Sequence, residues 1–219
     1  MDKPAARPKR TRIQREKREL IGEAALEVFS QHGFRGSTID QIADAAGMSK
    51  PNLLYYFKNK EEIFATLIHR LMETWLAPLR EMDATGDPHT EIRSYIRRKI
   101  EMSRDFPRES RLFANEILQG APRILPLLEG ELKELVDEKA AIIATWMRAG
   151  RLKKSDPYHF IFAIWATTQH YADFDVQVRA VLGENRGGEG RFEELRGFSR
   201  GCFWPEERRL SRRFVTRMR

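Results

Sequence analysis

The sequence predicts an all-α fold: an N-terminal three-helix head, joined through a fourth helix to a C-terminal helical body. Three observations carry this. Apolar residues recur at helical spacing almost throughout, and no stretch alternates as a half-buried strand does. Glycine, proline and capping residues cut that periodicity into separate helices. Ser37 to Lys60, STIDQIADAAGMSKPNLLYYFKNK, reads as two short helices about a glycine turn, the unit that lays one helix in the major groove of DNA.

The first helix is expected from about Thr11 to His32, with an apolar stripe of Leu20, Ala24, Ala25, Val28 and Phe29 and its end at Gly33. Ser37 with Asp40, or Thr38 with Gln41, can cap the second helix. Ala43 lies four residues before Gly47, which supplies the turn because glycine alone takes positive φ there without a Cβ clash. Ser49 is the expected N-cap of the third helix, with Pro51 in its first turn. Ile42, Ala46, Met48, Leu53 and Tyr56 fall where the two helices would meet. Asn59 and Glu62 form a capping box for the fourth helix, which runs to about Met82 through Ile63, Phe64, Leu67, Ile68, Leu71 and Trp75.

After the turn ATGDPH, a helix is expected from Thr90 to about Phe106, and another from Glu109 to Leu118, closed by Gly120. Residues 122–149 read as a helical stretch broken near Pro126 and ended by Gly150. Asp156 caps the next helix, Pro157 opens it, and it reaches about Leu182; ENRGGEGR is a loop. The domain limits are a basic arm at 1–12, the head at 13–74, the body at 75–195 and an arginine-rich tail at 196–219.

Hydrophobic residues make up 41% of 219, enough for a packed core, and no apolar run reaches a membrane span. The amino end has no apolar segment of a signal peptide behind its charges. A lone cysteine, Cys202, excludes an internal disulfide and suits a reducing, cytoplasmic setting. The net charge of +7 is unevenly placed: residues 1–18 carry +6, residues 186–219 carry +5, and the middle carries −4. A basic arm beside a helix-turn-helix suits a polyanion. No phosphate-cradling glycine loop, HExxH, nucleophile elbow or metal-spaced Cys/His cluster is present, so an enzyme is not expected and neither a cofactor nor a metal is called for.

A helix, then this motif, then YYFKNKEEIF opening a fourth helix, resembles the TetR family of bacterial repressors. TWLAPL, SYIRRK, SRDFPRESRLFANEIL, GAP, LVDEKAAIIATWM and WATTQHYADF resemble its pyrimidine-utilisation regulators, over about residues 10–185. The resemblance implies a homodimer on a palindromic operator in double-stranded DNA, and a pocket in the body for a small inducer. For that subgroup the inducer is uracil or thymine, and the target genes serve pyrimidine and nitrogen catabolism. A purine product, an amide or a lipophilic compound is the alternative inducer. By motif position the DNA contacts are Ser37, Thr38, Ser49, Lys50, Pro51, Asn52, Tyr55, Tyr56 and Lys60, through phosphates and base edges.

In the body, polar residues inside the otherwise apolar segment from Trp165 to Phe174 need partners. Gln169 presents a carbonyl and an amide that match the alternating edge of uracil in two bonds. Trp165 or Trp75 can stack on the ring, and Thr168, His170 and Tyr171 can add bonds. Packing at a dimer surface is the other reading of His170 and Tyr171. Arg111 and Glu116, five apart on one helix and so not facing each other, are further pocket candidates or ordinary salt-bridge partners. The tail after about Leu195 departs from the family: glycine, proline and arginine break the apolar spacing. Shifted by two nucleotides, Arg196 to Pro205 can encode Arg-Phe-Leu-Glu-Gly-Leu-Phe-Leu-Ala, a regular helix, so the tail is read as a frameshift product. The nucleotide sequence tests that reading.

Overall fold

A computed structural model of the chain describes residues 12–203, and all regular structure among them is helical. The head is α1 (Arg12–His32), α2 (Ile39–Ala45) and α3 (Lys50–Tyr56). The long α4 (Lys60–Arg80) leaves the head and opens the body. There follow α5 (Pro88–Asp105), α6 (Pro107–Leu118), α7 (Leu125–Leu127), a π-helical turn Leu128–Leu132, α8 (Lys133–Arg148), α9 (Pro157–Asp173), α10 (Asp175–Arg186) and α11 (Arg191–Phe203). Residues 1–11, with Thr11 and the expected basic arm, and the tail from Trp204 onward lie outside the described residues.

The head closes on aromatic rings. Phe29, Phe34 and Phe64 meet at centroid distances of 5.1–5.8 Å, so α4 is stapled to the end of α1. Ile21, not Leu20, holds the buried register of α1; Leu20 is largely exposed. The capping box of α2 belongs to Thr38 and Gln41. Its far end is a Schellman turn: Gly47 (φ 63°) donates to the Asp44 carbonyl and Met48 to that of Ala43. Ile42, Ala43, Ala46 and Leu53 are buried beneath it, with Met48 and Tyr56 packed alongside. Asn59 caps α4 by accepting from the Glu62 amide, but the Glu62 carboxylate reaches back to the Lys58 amide rather than closing a box on Asn59.

In the body α5 is central and touches α4, α6, α9 and α11. Asp87 caps it and Pro88 opens it, just ahead of the expected Thr90. The stretch before Gly150 is helical through the π turn, and Asp156 and Pro157 start α9 as expected. Two boundaries differ. α9 stops at Asp173, because Phe174 leaves helical geometry (φ −116°, ψ 33°), although Ala172, Val176 and Val178 continue an apolar pattern across the break. Helix α10 runs to Arg186, into the expected loop, with Gly183 at φ 72° kinking it. The expected break near Leu195 does not end α11: Phe192, Leu195 and Ser199 are buried and the helix runs to Phe203. A groove of about 280 Å³, lined by Arg93, Ile96, Arg196 and Ser199 among others, runs along its contact with α5, and Phe198 is exposed.

Candidate DNA-reading face and ligand cavity

The outer side of α3 is open because its apolar side is only Leu53 and part of Tyr56. Ser49, Lys50, Pro51, Asn52 and Tyr55 are exposed, Tyr55 at 72%. Leu54 is exposed beside them, at 40%, a position absent from the expected contact set; an apolar side chain there can meet a thymine methyl. Ser49 stands at the N-cap but makes no side-chain cap bond. Lys50 pairs with Asp40 of α2 at 2.9 Å; both are exposed, so the pair is worth at most about 1 kcal/mol and a phosphate can replace the carboxylate.

Three expected contacts are placed differently. Ser37 is buried and its hydroxyl donates to the Gly33 carbonyl at 2.6 Å, so of the two hydroxyls at the start of α2 only that of Thr38 lies at the surface. Lys60 is half-buried: its Nζ donates to the carbonyls of Phe34 and Ser37, which uses two of its three N–H groups. Tyr56 offers α3 a carbonyl anchor: Arg18 donates to that carbonyl, pairs with Glu62 and lies 3.7 Å over the Phe57 ring. Arg18, one of the amino-terminal basic charges, is thus turned inward to pin the end of α3.

Below the head, α4, α5, α6, α9 and the π turn border a narrow cavity of about 40 Å³. Trp75, Trp165 and Gln169 line it together, with Tyr95, Lys99 and Phe113. Trp165 donates its indole N–H to the Tyr95 hydroxyl at 2.6 Å, which leaves the Tyr95 O–H to donate elsewhere. Trp75 is 7% exposed, and its own indole N–H is buried without a partner. Such an orphan costs about 1–3 kcal/mol unless something accepts from it.

Lys99 is the charged wall of the cavity. Its ammonium lies 4.9 Å from the centroid of the Trp75 ring, and burial pulls its pKa down to about 7 against the upward pull of Asp173. Burial also pushes the Asp173 carboxyl up, despite a hydrogen bond from Ser110. The folded-state value of Lys99 is depressed, so between pH 7 and 10.5 the unfolded chain binds more protons and stability rises with pH. Below pH 7 the folded protein must carry the buried charge and the whole penalty stands. Tm is therefore expected to climb from pH 7 to about pH 9.5, and Lys99→Met to flatten the climb; paired thermal melts check it.

The other expected ligand residues do not line the cavity. Thr168 is fully buried, with its hydroxyl bonded to the Ile164 carbonyl one turn back. His170 is exposed and stacks on Phe174, and Tyr171 packs on His170 and Phe192. Glu116 is buried but faces Arg123, accepting from its backbone amide and its guanidinium. Arg111 is half-buried, within the electrostatic reach of Asp173 and Glu109. Lys99 and Tyr95 are the residues that sequence reasoning missed. A signal existed: with Ile92 and Ile96 they share the i, i+3, i+4, i+7 register of α5, and a lysine in an apolar register is a buried lysine.

Among the described residues no helix is long and apolar enough to cross a membrane, and no group of His, Cys, Asp and Glu could hold a metal ion. The family described as bacterial regulatory proteins, tetR family, matches residues 21–67, and the YcdC-like protein C-terminal region matches residues 68–198. The chain is 48% identical to the HTH-type transcriptional regulator RutR of Escherichia coli K12 over 186 residues, covering 85% of this chain and 88% of that protein. Two solved structures share the fold. AibR in complex with isovaleryl coenzyme A and operator DNA has a TM-score of 0.65 at 19% identity, over 86% of this chain and 98% of that one. The fatty acid degradation regulator FadR of Bacillus halodurans has a TM-score of 0.59 at 19% identity, over 87% and 95%. With both halves matched in order and an exposed helix at the reading position, the chain belongs to the TetR family and is a transcriptional regulator.

Proposed function

We propose that this regulator is a repressor that a free pyrimidine base, uracil or thymine, releases from a palindromic operator governing pyrimidine and nitrogen catabolism. Trp75, whose buried indole N–H has no partner among the described residues, lines the same narrow cavity as Gln169, and that pairing carries the reading. The cavity wall is rich in donors: the Trp75 indole N–H, the Tyr95 O–H and the Lys99 ammonium, the last with Asp173 in electrostatic reach, whereas Gln169 supplies both a donor and an acceptor. A flat ring bearing two carbonyls and N–H groups between them meets that pattern, and Trp165 offers it a stacking face. The cavity is too narrow for a long acyl chain, and a single ring enters it by displacing its walls.

The test is thermal. Uracil and thymine at 100 times their dissociation constants should stabilise the protein by about 2.7 kcal/mol, and cytosine, xanthine and a lipophilic panel should not. A shift with one of the other compounds alone would assign a different inducer to the same fold. Operator binding should weaken with salt in proportion to the phosphates met, and Lys50→Ala should lower the log–log slope by about one.

The homodimer is proposed on exposed apolar side chains. Phe162 on α9, Phe174 at its end, and Val176 and Val181 on α10 are 46–83% exposed, more apolar surface than an isolated helix pair tolerates. Two copies packing α9 and α10 about a two-fold axis would cover it. Phe162→Asp is expected to yield monomers by sedimentation and to reduce operator affinity sharply, since both half-sites must be held at once. The tail is proposed to be a frameshift product, a reading consistent with the groove between α11 and α5 and with exposed Phe198.

A further inference from the structure

We propose that Arg123 is a positioning residue that couples the cavity to the DNA-reading head, an inference that rests on the ligand-responsive reading above. α6 borders the cavity through Phe113, and Glu116 follows one turn later on the same side. Glu116 is 2% exposed and grips Arg123 twice, at 2.8 Å through the backbone amide and 2.9 Å through the guanidinium. The guanidinium carbon lies 3.5 Å from the centroid of the Phe34 ring, which belongs to the head, and 5.6 Å from that of Phe64 in α4. Lys60 approaches the same Phe34 ring at 4.3 Å and holds the carbonyls of Phe34 and Ser37 at 2.8 and 2.6 Å. Ser37 adjoins Thr38, the N-cap of α2. Unbroken contacts therefore run from the cavity through Glu116, Arg123, Phe34 and Lys60 to the helix that supports α3.

The geometry makes Arg123 responsive to small shifts. A guanidinium over a ring face is held by the ring quadrupole, which favours the face and weakens as the cation slips toward the edge. The paired carboxylate is buried, so a displacement of α6 carries Arg123 with it rather than breaking the pair, which would strand a buried charge. The cavity is narrow, so a ring entering it displaces Phe113 or the π turn beside it. α6 also packs directly on α1 of the head and ties to it through Arg108, paired with exposed Glu23 and half-buried Glu27.

Spatial continuity alone does not establish coupling, so the test measures coupling itself. In the full-length protein, operator affinity is measured by fluorescence anisotropy with and without saturating uracil, and uracil affinity by calorimetry without DNA. Arg123→Ala is expected to shrink the ratio of the two operator affinities about fivefold or more, with uracil affinity changed less than about twofold. Arg123→Lys keeps a charge beside Glu116, and so the fold, but loses the guanidinium over the Phe34 ring; it is expected to shrink the ratio about threefold. An unchanged ratio in both variants overturns the proposal, including the case where only Tm falls. If uracil leaves the wild-type operator affinity unmoved, the pyrimidine reading fails, and hydrogen exchange without ligand decides the coupling. Faster exchange at Ile39–Ala45 in Arg123→Lys, with α5 unchanged, then supports Arg123 as the tie; equal or uniformly altered exchange overturns it.

Discussion

Gly47→Val is expected to abolish most operator binding while leaving the body intact. Gly47 sits at φ 63° between α2 and α3. A side chain there meets no neighbour within 4 Å, so the penalty is conformational and not a clash with the rest of the protein. For an ordinary L-residue that penalty is about 1–2 kcal/mol, and a β-branched one tolerates left-handed backbone worst. The free head can relax by tilting α3, and the duplex must then restore the strained turn. In the proposed dimer, with two heads, the loss is about 2–4 kcal/mol, roughly 30- to 1,000-fold in affinity. Gly47→Asn should retain most binding, because asparagine visits that conformation readily. Anisotropy with an operator duplex and a uracil melt on each variant check both halves. Equal operator affinity for valine and glycine at this position would mean that the turn does not set the angle of the reading helix.

Trp75→Phe and Gln169→Leu are expected to separate ligand binding from folding. In the free protein the Trp75 N–H has no partner, so replacing indole by phenyl removes an unmet donor and some packing, with little net change in stability. If a pyrimidine carbonyl accepts from it, the same change removes about 1–1.5 kcal/mol of binding, close to tenfold. Gln169→Leu should do more. It removes two bonds and leaves a ring carbonyl and N–H facing a methyl group, about 2–4 kcal/mol or 30- to 1,000-fold. Operator affinity without ligand should be unchanged in both, so on the proposed reading release would need about tenfold more uracil in Trp75→Phe and still more in Gln169→Leu. Calorimetry with uracil, alongside anisotropy, reads both numbers. Unaltered uracil affinity in Gln169→Leu would place the ligand outside this cavity.

The head was almost wholly legible in the sequence because its determinants are local. The cap at Thr38, the turn at Gly47, the proline at position 51 and the spacing of Ile42 to Leu53 each act within a few residues. What escaped there was side-chain direction. Ser37 and Thr38 are neighbours with similar hydroxyls, yet the end of α1 buries one and leaves the other outside. Lys60 bonds to carbonyls 23 and 26 residues away, which no local pattern records.

The body was legible as helices and much less as a site. Trp75, Trp165 and Gln169 lie on two helices 90 residues apart at their nearest, and only packing around α5 brings them to one wall. The same packing excluded Thr168, one residue from Gln169, because adjacent positions on a helix point about 100° apart and the two face different neighbours. Glu116, read as either a pocket residue or a salt-bridge partner, is the second: it grips Arg123.

By itself the amino-acid order determined the all-α class, the helix-turn-helix and its exposed face, since caps, glycine and period are short-range. Only the tertiary structure decided which side chains share the cavity, which hydroxyls and ammoniums are already engaged, and how the body touches Phe34. Those depend on distances between residues far apart in the chain, and burial, not sequence position, sets what each polar atom can still bind.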